Sequence, residues 1–296
     1  MPNITLVTGN AIRSPALIKG DLLMHRLLLL LSGTVLSAAL FALPAHAQQE
    51  SQPAGDPVET EPPDAPDQEP AFDGQTRAPQ PADMPEIEAE VVAEDLPQLW
   101  ALEFLPEGRM LVTAKEGAMH IITAGGEAGP EIDGVPEVLS GGQGGLLDVA
   151  LAPDFESSGM IFFSFSEERE DGNGTSVASA RLVTDDQGGR REDVNVIFRQ
   201  MPSYDGNKHF GSRLVFGPES ELYVTVGERS DPEPRVQAQD LSSGLGKIFR
   251  IDTSGKALPD NPFVDQEGAL PEIWSLGHRN LQSATLDAQG RLWTLE

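Results

Sequence analysis

Cysteine is absent from the 296 residues, and that single absence removes several chemistries together. No disulfide, thiolate zinc site, iron–sulfur cluster or thiol nucleophile can be built from this chain. Positive charge is scarce: 20 lysines and arginines stand against 47 aspartates and glutamates, a formal net charge of -27. A surface of that sign repels nucleic-acid phosphates and anionic lipids, so nucleic-acid binding is excluded as a function class. Amphipathic helical periodicity of useful length is missing beyond residue 90, which leaves a fold built from strands. A phosphate-binding loop is missing too, because the glycine-rich stretch around Gln143 does not end in Gly-Lys-Ser/Thr.

One long hydrophobic run is present. A short basic start, His25 and Arg26, leads into an apolar stretch from Leu27 to about Leu43 and then Ala45-His46-Ala47. This three-part pattern, with small residues before the cut, predicts a secretory signal over 24–47 and a periplasmic or secreted protein. The run is short for a membrane span, so no stable span is expected after cleavage, and no Cys follows it to take a lipid. Residues 1–23 precede a complete signal and have no part in it, which reads as a mis-assigned upstream extension with translation starting at Met24. Residues 48–90 are dense in Pro, Asp and Glu, with Arg77 the only basic residue among them. Such a segment cannot bury enough apolar surface to offset its ordering entropy and reads as a disordered acidic linker.

Over 91–296 one unit recurs: an apolar strand, a tight turn and a second strand. It stands at Leu99–Ala114, Gly145–Ser166, Ser212–Glu228 and Gln282–Glu296, with Pro106, Pro153, Pro218 and Ala288 at matching turn positions. Alternation such as Leu222, Val224, Val226 predicts half-buried antiparallel strands, and "GAMHIITA" and "GKIFRID" supply further strands between the units. About four such units predict an all-β propeller. A β-sandwich also has many short strands, but it does not require its units to resemble one another.

Four stretches depart from the repeat. "SGGQGGLLDVALAPDF" places Gln143 between glycines that let backbone come close to a ligand, or simply turn a loop. "GNKHFGSRLVFGP" places His209 just before an inner strand, where an imidazole can act as a base near neutrality or merely fill a bend. "AQDLSSGLGKIFRID" is a turn and a strand. "PEIWSLGHRNLQSA" sets Arg279 beside Asn280; the pair could hold an electron-rich oxygen and a heterocycle edge, or Arg279 could make a surface ion pair.

With "DNPF", these pieces stand in one order over about Leu99–Glu296 and resemble the soluble quinoprotein aldose dehydrogenases, the glucose/sorbosone family that uses pyrroloquinoline quinone (PQQ). The resemblance implies a six-bladed propeller with PQQ over the channel, calcium beside it, and oxidation of an aldose at C1 to its lactone. By position, His209 matches the family's base, and Gln143 a polar contact near cofactor and substrate. Arg279 and Asn280 match the pair that holds the quinone. A respiratory-chain electron acceptor is implied as the partner after the sugar. Three departures stand out. Leu281-Gln282-Ser283 replaces the family's Pro-Gln-Gly, Lys208 precedes the base where some members carry an acid, and no metal loop follows Glu296, so no metal-ligating residue is assigned. The chain therefore reads as an incomplete propeller, and its activity as it stands is open. A non-catalytic propeller that binds carbohydrate or protein is the alternative. A lactonase propeller would need a cluster of channel-facing carboxylates around a metal, and the sequence offers none.

The signal reading predicts a mature chain that begins near Gln48 and a precursor that begins at Met24. N-terminal sequencing of the exported and precursor forms checks both.

Overall fold

The computed structural model describes residues 55–296 except 63–65, 68, 71, 73, 82, 84, 133, 135, 186 and 187. The extension, the signal run and the first residues of the acidic linker lie outside the described residues. The chain divides into two units, Met1–Glu90 and Val91–Glu296. In the first, the described residues hold an antiparallel bridge between Pro57 and Pro79, closed by hydrogen bonds from Val58 N to the Ala78 carbonyl and from Gln80 N to the Asp56 carbonyl. No helix among the described residues is long and apolar enough to cross a membrane.

The second unit is built of antiparallel sheets in chain order. β1 (Leu99–Phe104), β2 (Met110–Ala114), β3 (Met119–Ile122) and β4 (Ala128–Glu131) make the first. β5 (Leu146–Leu151), β6 (Met160–Arg169), β7 (Gly172–Asp185) and β8 (Gly188–Arg199) make the second. The third holds β9 (Gly211–Phe216), β10 (Leu222–Val226), β11 (Lys247–Ile251) and β12 (Ile273–Leu276). A two-stranded fourth pairs β13 (Ser283–Leu286) with β14 (Leu292–Leu295). The first strand of each sheet lies beside the first strand of the next. This is a β-propeller with three complete blades and a two-stranded fourth, and every repeat read from the sequence begins a blade. Among the described residues the α-helices are single turns at Phe155–Ser158 and Pro232–Arg235.

The expectation of half-buried strands is corrected for the blade interiors. β2 and β10 are buried at every position because both faces of each are covered: β10 lies between blade two and the fourth blade, and β2 between blade two and the segment 92–102. Period two therefore sorts side chains between two cores rather than between core and water. Along β6, Ile161, Phe163 and Phe165 pack towards blade one, while Phe162 packs towards blade three with Val224 and Phe249.

A buried hydroxyl joins each blade to the next. The register between the first two strands shifts in each of the first three blades, which leaves a backbone N–H without a ladder partner. Thr113 Oγ1 accepts from Ala101 N at 3.0 Å and donates to the Leu147 carbonyl at 2.6 Å. Ser164 Oγ accepts from Asp148 N at 3.0 Å and donates to the Ser212 carbonyl at 2.8 Å. Thr225 Oγ1 accepts from Arg213 N at 2.9 Å and donates to the Leu281 carbonyl at 2.8 Å. Each hydroxyl thus repairs its own blade's ladder and takes hold of the next blade's backbone. Nearby, Asp148 accepts from Arg213 Nη1 and from Leu214 N, both at 2.6 Å, and Arg213 stacks 5.1 Å from the Trp100 ring. Burial raises the Asp148 carboxyl to about 7, against the opposing pull of Arg213 and the backbone N–H groups.

Replacing Thr225 with Val keeps the volume and strands two buried backbone groups. T225V is expected to lose about 1–3 kcal/mol of stability, read as a lower urea midpoint at unchanged slope, with T225S close to the unaltered chain.

Candidate functional site

The site forms where the segments entering β9 and leaving β12 meet the end of β10. The chain leaves β10 through Gly227, whose absent side chain is required: a Cβ there would stand 2.0 Å from the His209 carbonyl oxygen. That close approach presses the 206–210 turn against the β10 exit and brings the next residue, Glu228, beneath the His209 ring. His209 itself takes a left-handed backbone conformation, φ 50°, which costs a residue other than glycine about 1–2 kcal/mol. Its surroundings must hold it there.

Glu228 is fully buried, yet it is matched on both oxygens. His209 Nδ1 lies 3.1 Å from Oε1, Arg279 Nε donates to the same Oε1 at 2.9 Å, and Ser230 N donates to Oε2. Burial alone would raise this carboxyl, but Arg279, the Ser230 N–H and His209 together hold it below its ordinary 4.5. An ionised carboxylate only accepts hydrogen bonds, so Nδ1 carries the proton. The Nε2 lone pair of neutral His209 then has no partner among the described residues. The ring is held at one nitrogen and available at the other.

The remaining sequence-predicted residues converge on the same place. Gln143 Oε1 accepts from His209 N at 2.8 Å, and Gln143 N donates to the Asn207 carbonyl at 2.8 Å, which ties the glycine loop of blade two to the turn of blade three. Asn280 Oδ1 accepts from Gly211 N at 3.1 Å, and the Arg279 carbonyl accepts from Glu228 N at 2.9 Å. Underneath, buried Lys247 donates to the carbonyls of Gln237, Ala238 and Leu245, and the Ala238 carbonyl also accepts from Gly277 N. This fixes the strand end from which His278 and Arg279 project. At its far side Glu296 accepts from Arg279 N at 3.0 Å and lies 3.0 Å from His278 Nδ1.

The structure thus brings His209, Gln143, Arg279 and Asn280 together, and adds Glu228 and Arg229, which the sequence reading did not single out. The half-exposed guanidinium of Arg279 keeps both Nη groups unengaged, and the Asn280 and Gln143 amide nitrogens have no partner among the described residues. These free donors belong to side chains anchored on the His209 amide, the Glu228 carboxylate and the Gly211 amide. They suit a planar ligand rich in oxygen acceptors. Among the described residues, no three His, Asp or Glu side chains come together as a metal site.

Fold and site define a β-propeller with a polar site at the entry to its inner strands. Residues 96–296 match the Glucose / Sorbosone dehydrogenase family, and the chain belongs to it. It is 41% identical over 213 residues to the aldose sugar dehydrogenase YliI of Escherichia coli K12, which covers 71% of this chain and 56% of that protein. Among solved structures, the apo form of the soluble aldose sugar dehydrogenase from Escherichia coli superposes with TM-score 0.65 at 41% identity, covering 69% of this chain and 58% of that one. The PQQ-bound aldose sugar dehydrogenase of Streptomyces coelicolor gives TM-score 0.60 at 33% identity, covering 69% and 58%. The chain spans little more than half the length of these relatives.

Because folded Glu228 titrates below its ordinary value, its contribution to stability is complete above pH 4.5 and is lost as pH falls through the lower folded value. E228Q is expected to be less stable at pH 7 by about 2 kcal/mol and to lack that acid-side dependence. Urea titrations from pH 3 to 7 check both.

Proposed function

We propose that this chain carries the base and quinone-contact portion of an exported, PQQ-dependent aldose dehydrogenase, with His209 as the general base. The observation that carries the reading is the buried Glu228 carboxylate, which fixes the His209 tautomer and the base of Arg279 at once.

The free donors of Arg279, Asn280 and Gln143 fit an oxygen-rich, heterocyclic quinone. When bound, PQQ supplies a two-electron, hydride-accepting centre. His209 Nε2 would take the proton of the sugar's C1 hydroxyl, and with PQQ bound as hydride acceptor the oxidised sugar would be the lactone. Glu228 then faces an imidazolium and offsets its charge. Arg279, through its free Nη groups, and Asn280, through its amide, would hold the quinone, and Gln143 would orient the sugar. Calcium is a different matter. The described residues offer it no cluster of side chains. Export through the 24–47 signal, the linker role of 48–90 and a respiratory-chain acceptor belong to the same proposal.

The test is reduction of an artificial electron acceptor with an aldose, with and without added PQQ and calcium. Activity only after reconstitution, reduced about 100-fold or more in H209Q, supports the reading. Retention of sugar without turnover would instead favour a binding propeller.

A further inference from the structure

Beside the site lies a cleft of about 510 Å³ whose lining includes Ser140, Asn173, Lys208, Phe210, Arg229 and Asp231. Arg229 has the largest side chain among the fully buried residues. No carboxylate oxygen among the described residues lies within ion-pair distance of it; neighbouring Asp231 instead accepts from the Tyr204 hydroxyl at 2.9 Å. A buried cation without a paired anion is costly, and burial pushes Arg229 down to about 10. Packing alone would be served better by an apolar side chain.

What Arg229 holds is the turn that carries His209. Its Nε donates to the Lys208 carbonyl at 3.0 Å, and Nη2 donates to the Gly206 carbonyl at 2.5 Å and to Asn173 Oδ1 at 2.6 Å. Nη1 donates to the Asn173 carbonyl at 3.1 Å, and the guanidinium stacks 4.0 Å from the ring of Phe210. The planar fork therefore reads two carbonyls of the 206–209 turn on one side and blade two's β7 on the other. The peptide unit it grips at Lys208 is the one whose N–H, on His209, donates to Gln143. Gripping both faces of that peptide defines the left-handed conformation of His209.

We propose that Arg229 is a positioning residue: its buried guanidinium clamps the 206–209 turn onto β7 and so delivers the His209 ring to Glu228. The proposal rests on the reading of His209 as the base, but its first readout does not. Lysine keeps the charge and loses the fork, so it can supply only part of the clamp.

The first experiment uses the chain without added cofactor. The hydrogen-bonded Nδ1–H of His209 gives a downfield proton resonance, assigned by its loss in H209Q and E228Q. R229M is expected to lose that resonance while far-UV circular dichroism is unchanged, and R229K to regain part of it. In the chain reconstituted with PQQ, kcat is expected to fall on the order of tenfold or more in R229M, with a smaller change in KM. A folded R229M that keeps the resonance overturns the proposal, as does absence of the resonance from the unaltered chain. If R229M does not fold, N173A decides instead: it removes one acceptor of the fork, and loss of the resonance supports the clamp while retention overturns it. An unaltered chain that shows the resonance but no turnover counts against the proposed function, and the resonance comparison still decides the role of Arg229.

Discussion

The site depends on one buried negative charge. Glu228 lies where water cannot solvate it, and a carboxylate in that position is tolerable only if each oxygen is met by donors. Three segments supply them: the turn before β9 through His209, the exit of β10 through Ser230 N, and the strand end after β12 through Arg279. The need to satisfy one acid thus brings together residues about 50 and 20 positions away in the chain. The same need fixes which nitrogen of His209 holds a proton. Geometry and chemistry at this site have a common cause.

Around that carboxylate the backbone departs from regular strand geometry. His209, Arg229 and Ser230 all take positive φ, and the cost of each is met by contacts that a relaxed loop would not make: Gln143 on the His209 amide, the guanidinium of Arg229 on the turn, Glu228 on the Ser230 amide. Such concentrations of unfavourable backbone are found where function requires one conformation among several of similar energy. The inner strands are regular in comparison, and their irregularities are confined to the register shifts that the joining hydroxyls fill.

Much of this was legible in the sequence. The repeats begin where the blades begin, because a hairpin of two apolar strands about a Pro or Gly turn leaves a local signature. His209, Gln143, Arg279 and Asn280 stand beside glycines or in dipeptides unusual for a blade, and they meet in space. Glu228 and Arg229 were not legible. In "VTVGERSDPEP" they look like the polar end of a strand entering an acidic loop, in a chain that has acids everywhere. Their burial depends on Gly227 allowing the His209 carbonyl to come close, a long-range fit that no local pattern encodes. A glycine followed at once by an acid at the end of a largely apolar strand was the available clue. The burial of β10 on both sides was likewise hidden, since a strand between two blades and a strand facing water share the same alternation.

The hydroxyl joints divide the freedom of the sequence unequally. In each, the donor must be a small hydroxyl at one position, whereas the acceptor is main chain, supplied by Leu147, Ser212 and Leu281. A carbonyl is offered whatever side chain it carries, so the receiving blade can change its surface at that point without any matching change in the blade that grips it. Neighbouring blades are coupled in structure but not in residue identity. A ring assembled in this way can duplicate, diversify or recombine its blades one at a time, keeping one serine or threonine per junction while the residues above it evolve towards chemistry.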